Sequence, residues 1–334
     1  MKALYIHAKE DIRVDEVPTP EPGEGQILLR MAYNGICGSD LHYYFEGANG
    51  AFVVREPLIP GHEVSGTVAK DPSGKYAEGT PVTVHPAHFG DPSEKYGRHL
   101  WPNGDYLGSA STWPHTQGGM SEYLLVDDFM VRPLPEGLSL ETAALAEPLA
   151  VGLHGINVAG GVEGKKVLVS GSGPIGLLAA AGAIAKGAAE VVCTDVLDGP
   201  LSRAAKLGAK TVRTDQEALP KNYFDVVLEC SGAAVAINAA FEAIDRAGIH
   251  AQIGMMAAGP HPIALASAIS KEVQIRGCFR FDDEIDEAVE ILAANPGIAE
   301  AVVTHTISAD NAVEAFAVAK NSQESGKVLV SLWV

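Results

Sequence analysis

The amino-acid sequence predicts an α/β protein that combines a doubly wound parallel sheet with a mainly β domain. Short apolar runs separated by proline and glycine fill roughly the first 147 residues, and a regular alternation of strand and helix patterns begins near residue 165. The length of 334 residues exceeds that of one typical domain. Together these observations indicate two domains with different architectures.

The first 147 residues are predicted to form the β domain. After a short strand at residues 3–6, strand-like runs recur at Gln26–Ala32, Val64–Ala69, Pro81–Val84 and Glu122–Val126. The next segment, Glu141–Val158, has a helical pattern that Pro148 is predicted to break or kink.

The second part of the chain is predicted to form the parallel sheet. Its strands are expected at Lys166–Ser170, Glu190–Asp195, Thr211–Arg213, Phe224–Glu229, His250–Gly254 and Val273–Cys278. Its helices are expected at Pro174–Lys186, Pro200–Leu207 and Val235–Arg246. The apolar runs Val167–Val169 and Val226–Leu228 are continuous, as is typical of strands buried on both faces.

The last segment is predicted to return to the first domain. Two helical patterns, Glu284–Ala294 and Asn311–Lys320, precede a strand at Lys327–Trp333. We therefore expect a discontinuous β domain at residues 1–147 and 282–334, with the doubly wound domain at residues 148–281 between its two parts.

Composition and charge exclude several classes of function. The formal net charge of −18 argues against nucleic acid or an anionic membrane as a partner. Four scattered cysteines are too few for a disulfide framework and suit a reducing compartment. The chain enters a strand directly, without a signal peptide, and glycines and Pro174 interrupt its longest uncharged run, Val167–Ala185. We expect a cytoplasmic protein with no membrane partner.

A glycine-rich motif at the start of the parallel sheet predicts a dinucleotide site. Its residues follow a strand and open an alanine-rich helix: Gly171, Ser172, Gly173, Pro174, Ile175 and Gly176. The glycines permit a tight turn and close approach of a pyrophosphate to the helix N-terminus. Asp195 ends the next strand at the spacing expected for binding the adenine ribose hydroxyls. Its charge would repel a 2′-phosphate, so NAD is predicted in preference to NADP.

Residues before this motif predict a metal site. Cys37, His62 and Glu63 offer sulfur, nitrogen and oxygen, a donor set that suits zinc and leaves a position open for substrate. Adjacent residues of a regular strand point to opposite faces, so Gly61 is expected to provide a turn or bulge before His62. Glu147 is expected either as a fourth ligand or beside the metal and its water.

Ser39 and His42 are predicted to carry a proton away from this metal. A zinc-bound alcohol loses its proton readily, because the ion stabilises the alkoxide. A hydroxyl near the substrate, followed by the cofactor ribose and an imidazole, gives that proton a path to water. The alternative is that Ser39 is a turn residue and His42 is solvated.

At these residues the chain resembles the zinc-dependent medium-chain dehydrogenases, and within them the polyol branch of sorbitol and L-idonate dehydrogenases. The stretches that carry the resemblance are Gly35–Tyr44, Pro60–Val64, Ala146–Val151, Gly171–Gly176, Lys271–Val273 and Gly277–Phe281. The resemblance implies a GroES-like catalytic domain, discontinuous around a Rossmann domain, with zinc at Cys37, His62 and Glu63 and with Glu147 close to the metal or its water.

The resemblance also implies substrate and cofactor contacts. Tyr43 and Arg280 match positions that contact the polyol, and Phe279 matches a position beside the nicotinamide. Residues 88–108 lack the four cysteines that hold a second, structural zinc in many relatives, so one zinc per subunit is expected. Relatives form dimers or tetramers, which implies a homo-oligomer.

These observations predict an NAD- and zinc-dependent oxidation of a sugar acid or polyol. Oxidation of L-idonate to 5-keto-D-gluconate is the first choice, and sorbitol, xylitol or a similar polyol is the alternative. Two hypotheses from other classes remain: a zinc-free reductase that acts on activated alkenes, and a dehydrogenase that has lost its activity and serves as a binding protein.

Overall fold

The computed structural model describes residues 1–333. Its strands are β1 Lys2–Ala8, β2 Asp11–Glu16, β3 Gln26–Gly35, β4 Ala48–Asn49, β5 Phe52–Val53, β6 Glu63–Lys70, β7 Pro81–Val84, β8 Ala87–His88, β9 Asp105–Tyr106, β10 Tyr123–Asp127, β11 Val131–Pro133, β12 Lys166–Ser170, β13 Glu190–Asp195, β14 Lys210–Arg213, β15 Phe224–Glu229, β16 Ile244–Gln252, β17 Gln274–Gly277, β18 Val303–Ser308 and β19 Lys327–Ser331. Its helices are α1 Gly38–Glu46, α2 Leu140–Ala143, α3 Ala146–Val158, α4 Pro174–Ala185, α5 Asp198–Lys206, α6 Ala234–Ala243, α7 Leu265–Ser270, α8 Glu284–Ala294, α9 Gly297–Val302 and α10 Ala312–Lys320.

The two ends of the chain share one largely antiparallel sheet. Its strand order is β11-β7-β6-β3-β19-β18, and β10 pairs with the first half of β3. Strand β19 runs antiparallel to the second half of β3, with Val330 opposite Asn34, and β18 lies parallel to β19. The helix α8, in contrast, packs against α3 in the core of the other sheet. The domain boundaries at residues 147 and 281 stay predictions.

The other sheet confirms the predicted doubly wound fold. Its order is β14-β13-β12-β15-β16-β17, and each pair of neighbours is parallel. The order reverses between β12 and β15, so the carboxyl ends of these two strands border a crevice where ligands bind in this kind of sheet. The apolar run at residues 167–185 divides into β12, a turn and α4.

The end of α6 differs from its prediction. The helix ends at Ala243 rather than Arg246, and β16 begins at Ile244 rather than His250. The buried ammonium group of Lys271 donates hydrogen bonds to the carbonyl oxygens of Phe241 at 2.6 Å and Ile244 at 2.7 Å. These bonds satisfy carbonyl groups at the helix end and stop the helix there.

Within residues 1–333, no helix has the length and hydrophobicity that crossing a membrane requires.

Candidate metal centre and dinucleotide cleft

Cys37, His62 and Glu63 lie together where the paired strands β3 and β6 of the first sheet end and begin, respectively. One ligand atom from each residue lies within 4.8 Å of the others, and no second cluster of this kind occurs among residues 1–333. Cys37 directly precedes α1, while His62 and Glu63 stand at the start of β6. His62 and Glu63 are buried and Cys37 is partly exposed, so the cluster opens toward solvent on the cysteine side.

Two glycines make room for this cluster. A Cβ atom on Gly35 would lie 2.0 Å from Oε2 of Glu63, so a larger residue would displace that carboxylate. Gly61 has a φ angle of +99°, and a Cβ atom there would lie 2.0 Å from the Asn34 amide nitrogen. The expected turn before His62 is therefore present, and it depends on glycine.

Asp40 joins the two segments that carry the cluster. Its buried carboxylate accepts hydrogen bonds from the backbone N–H of Cys37 at 2.9 Å and from that of Gly61 at 3.1 Å. Sequence reasoning missed this role, although an acidic residue three positions after a helix cap is a known signal. Asp40 fixes the distance between the Cys37 turn and the His62 turn.

Lys327 pairs with Glu63 from the other end of the chain. Its ammonium group donates to Oε1 of Glu63 at 2.6 Å and to the carbonyl oxygen of Ile36 at 3.1 Å. Burial alone would lower the pKa of Lys327, but the anionic groups around it, first Glu63 and then Cys37, together outweigh burial and raise that pKa. No sequence motif predicted this pair, because Lys327 opens a strand pattern with no functional signature.

The donor atoms that remain fit a zinc ion. Oε2 of Glu63 and Nδ1 of His62 are buried and have no hydrogen-bond partner within residues 1–333. Burial would lower the pKa of His62, but the thiolate of Cys37 and then the carboxylate of Glu147 raise it well above 6.5. A buried imidazole surrounded by anionic donors is an environment that a divalent cation stabilises.

Glu147 and Tyr106 form a hydrogen-bonded pair beside the cluster. The Tyr106 hydroxyl donates to Oε1 of Glu147 at 2.6 Å, and the Tyr106 ring stands edge-on to His62 with centroids 5.4 Å apart. Burial first, and then Glu147, raise the pKa of Tyr106 well above 10.0, so the hydroxyl keeps its proton. Sequence reasoning missed Tyr106, because it lies on a two-residue strand with no motif.

The predicted substrate and nicotinamide contacts adjoin this pair. The Arg280 guanidinium lies 4.1 Å from the Tyr106 ring and 4.9 Å from the Phe279 ring. Phe279 is 45% exposed. Tyr43 is buried in the core of the first sheet, and its hydroxyl accepts a hydrogen bond from the backbone N–H of Ala110 at 3.1 Å. Arg280 thus lies next to the cluster. The Tyr43 hydroxyl already accepts a hydrogen bond from the backbone.

The two residues of the predicted proton path share helix α1. Ser39 lies partly buried in its first turn. The His42 side chain is 53% exposed, and its Nδ1 lies 3.1 Å from Oε1 of Glu46. Residues three apart on a helix face the same side. Ser39 and His42 therefore share one side of α1. Of the two, His42 is exposed to solvent and Ser39 lies closer to Cys37.

The glycine-rich motif forms the expected turn between β12 and α4. Gly171 has a φ angle of +89° and packs against Ser231, while a Cβ atom on Gly176 would lie 1.9 Å from the Gly171 carbonyl oxygen. Pro174 occupies the first turn of α4, followed by Ile175, and Gly173 caps the helix. A Cβ atom on Gly173 would meet nothing within 4 Å, so this cap faces open space.

Asp195 ends β13 beside this turn. Its Oδ2 accepts from the Ser172 N–H at 3.0 Å, and its Oδ1 accepts from the Val196 N–H at 2.8 Å. Arg203, on the helix α5 that follows Asp195, donates to the carbonyl oxygens of Ser322 and Ser325, each at 2.9 Å. The guanidinium of Arg203 is therefore hydrogen-bonded to the segment that precedes β19.

Glu229 forms the floor of the crevice and was missed by sequence reasoning. It is fully buried at the end of β15 and accepts hydrogen bonds from the backbone N–H of Ser231 and of Gly232, each at 3.0 Å. The Gln252 side chain donates to it at 2.6 Å. This carboxylate therefore holds the loop against which Gly171 packs.

Comparisons with known proteins find similarity to dehydrogenases over nearly the whole chain. The family described as zinc-binding dehydrogenase matches residues 174–294, and that described as alcohol dehydrogenase GroES-like domain matches residues 23–136. Sorbitol dehydrogenase of Bos taurus is 34% identical over 95% of this chain and 92% of its own. L-idonate 5-dehydrogenase (NAD(P)(+)) of Escherichia coli is 36% identical over 87% of each chain. The crystal structure of the E. coli L-idonate enzyme superposes with a TM-score of 0.93, at 32% identity, over 99% of this chain and 97% of its own.

Proposed function

Because this chain belongs to the zinc-binding dehydrogenases and is a polyol or sugar-acid dehydrogenase, we propose that it oxidises a sugar acid with NAD. L-idonate, converted to 5-keto-D-gluconate, is the first choice. The observation that carries this proposal is the Cys37–His62–Glu63 cluster with the Arg280 guanidinium beside it. Similarity to dehydrogenases along nearly the whole chain sets aside the alkene reductase and the inactive binding protein.

We propose that Cys37, His62 and Glu63 hold one catalytic zinc ion. Bound there, zinc would supply Lewis-acid stabilisation of the substrate alkoxide. The chain's own contribution is to fix its donors: Asp40 ties the two ligand segments together, and Lys327 occupies Oε1 of Glu63 so that Oε2 remains free.

Ser39 and His42 are proposed to move the substrate proton to solvent. The Ser39 hydroxyl, near the start of α1, would accept the proton, and the exposed His42 on the same side of the helix would release it to water. The ribose of the cofactor is the proposed bridge between them. Replacement of His42 by alanine should slow alcohol oxidation, which the rate of NADH production measures.

Arg280 is proposed to bind the carboxylate of the sugar acid. A guanidinium offers two parallel N–H donors that match a carboxylate, and the contacts of this group within residues 1–333 are with the faces of two aromatic rings. Burial lowers the pKa of Arg280 below its usual value, yet the group stays charged at neutral pH. A sugar acid gives this half-buried cation an anionic partner, which a neutral polyol does not.

The cofactor is proposed to lie across the carboxyl ends of β12 and β15. Its pyrophosphate would meet the N-terminus of α4 at Gly173, and its adenine ribose would meet Asp195. Phe279 would flank the nicotinamide. The negative charge of Asp195 supports NAD over NADP.

We further propose the domain division predicted from the sequence and assembly as a homodimer or homotetramer. The division is supported by the pairing of β19 with β3. Assembly is supported by β17, an edge strand with Ile275 half exposed, because unpaired edges invite association.

The test is NADH production from L-idonate, D-gluconate, sorbitol, xylitol and galactitol, each with NAD and with NADP, together with the metal content of protein purified without chelator. Activity confined to L-idonate, lost in an Arg280→Lys variant, supports the proposal. Equal activity on sorbitol, which Arg280→Lys leaves unchanged, would favour the polyol alternative that the Bos taurus relative suggests. Absence of stoichiometric zinc would overturn the metal assignment.

A further inference from the structure

Tyr106 contacts three parts of the site, although none of the roles proposed above depends on it. Its hydroxyl donates to Glu147, its ring edge meets His62, and the Arg280 guanidinium covers its face. It is buried on β9, in the stretch where many relatives place a structural metal instead. Such a set of contacts exceeds what filling the core requires.

The hydroxyl of Tyr106 determines where the Glu147 carboxylate lies. The hydrogen bond is 2.6 Å long, which is typical of a donor to a charged carboxylate. Glu147 is electrostatically close to His62, yet its oxygens fall outside the group whose ligand atoms lie within 4.8 Å of one another. The carboxylate is therefore near the metal position but not in it.

A nearby carboxylate is a competitor for a metal that must keep one position open. Catalytic zinc sites have three protein ligands and leave the fourth position to water or substrate. Building on the zinc centre proposed above, we propose that Tyr106 is a positioning residue: its hydroxyl holds Glu147 out of the metal coordination and so keeps that position available to the substrate hydroxyl.

The variant Tyr106→Phe isolates this hydroxyl. It keeps the ring that packs against His62 and Arg280 and removes only the donor to Glu147. The freed carboxylate should then enter the metal coordination. Groups outside the ligand shell change metal affinity by roughly 10- to 100-fold, so we expect the variant to release zinc to a chelator about tenfold more slowly than the unaltered protein.

The experiment measures zinc release and the visible spectrum of the cobalt(II)-substituted protein. In Tyr106→Phe, the cobalt bands should shift because a carboxylate oxygen replaces water at the open position, and the substrate KM should rise. Combining Tyr106→Phe with Glu147→Gln should restore the spectrum of the single Glu147→Gln variant. Tyr223→Phe is the matched control, because it removes a tyrosine hydroxyl that donates to Glu190 at 2.9 Å, away from the metal.

Two results would overturn the inference. One is a Tyr106→Phe spectrum and zinc release identical to those of the unaltered protein. The other holds even if Tyr106→Phe does not fold: a changed cobalt spectrum in Glu147→Gln alone would mean that Glu147 already binds the metal. Failure of the proposed function is distinct, since then the unaltered protein itself would show no cobalt–thiolate absorption and none would be lost in Cys37→Ser.

Discussion

The dinucleotide cleft and the metal cluster are built in opposite ways. The cleft is local: its glycine turn, helix N-terminus and Asp195 follow one another along the chain, and most of their bonds are to backbone N–H groups. The metal cluster is held by buried side chains distant in sequence, and Glu63 and Lys327 are 264 residues apart. A site of the first kind depends on backbone shape, and one of the second kind depends on charge balance.

The largest effect should come from removing a metal ligand. Cys37→Ser replaces a thiolate with a poor zinc donor. We expect zinc loss and a fall in turnover of more than about 100-fold, because even partners outside the ligand shell cost roughly 10- to 100-fold. NADH binding, followed by fluorescence titration, should stay nearly unchanged. Near-normal turnover would remove Cys37 from the metal site.

Removing the charge partner of Glu63 should have a smaller effect than removing a metal ligand. We expect this effect in the stability of the whole protein. Lys327→Met leaves a buried carboxylate unpaired, which typically costs about 3–5 kcal/mol of unfolding free energy. Denaturant unfolding of the metal-free protein measures this loss. Lys70→Met is the control, because it breaks an exposed pair with Glu21 whose contribution should be at most about 1 kcal/mol. Equal losses in both variants would refute the importance of the buried pair.

Two matched glycine variants should separate the regions. Gly35→Ala drives a methyl group into the Glu63 carboxylate, and Gly176→Ala drives one into the Gly171 carbonyl. Each should cost about 1–3 kcal/mol of stability. Gly35→Ala should lower zinc content and spare NADH affinity, and Gly176→Ala should do the reverse. If both variants lose both ligands, the two sites are not independent.

The smallest effect is expected at the crevice floor. Glu229→Gln keeps the shape of the side chain but weakens its bonds to the Ser231–Gly232 loop. NADH should bind about tenfold more weakly, the equivalent of about 1.4 kcal/mol, with zinc content unchanged. Glu190→Gln is the control, because Glu190 begins β13 and so lies at the opposite end of the same sheet from Glu229. Unaltered NADH affinity in Glu229→Gln would show that the loop holds its position without the carboxylate.

Much of the fold could be predicted because it follows from local pattern. The apolar runs and glycine turns of the parallel sheet predicted β12, β13 and β15 with the same bounds as the structure has. The end of α6 could not be predicted, since the hydrogen bonds at its end come from Lys271, 30 residues after Phe241 in the chain. Helix α1 was not predicted either, because its residues were interpreted only as metal-site, proton-transfer and substrate residues and not as a helix.

The candidate site shows the same division. Cys37, His62 and Glu63 were recognisable because their donor chemistry is distinctive, and the structure places them together. The residues that hold this cluster in place, Asp40, Tyr106 and Lys327, could not be recognised from the sequence. An aspartate, a tyrosine and a lysine have many ordinary roles, and only their proximity in three dimensions identifies these three.

The position of Lys327 has a consequence for biosynthesis. A ribosome delivers the three proposed ligand residues first, and the cation that balances Glu63 follows 264 residues later, on the strand β19. Until β19 has paired with β3, Glu63 lacks its partner and the ligand set is not fixed. The proposed metal centre is therefore completed only after β19 has been synthesised and has paired, which makes metal loading follow the folding of β19.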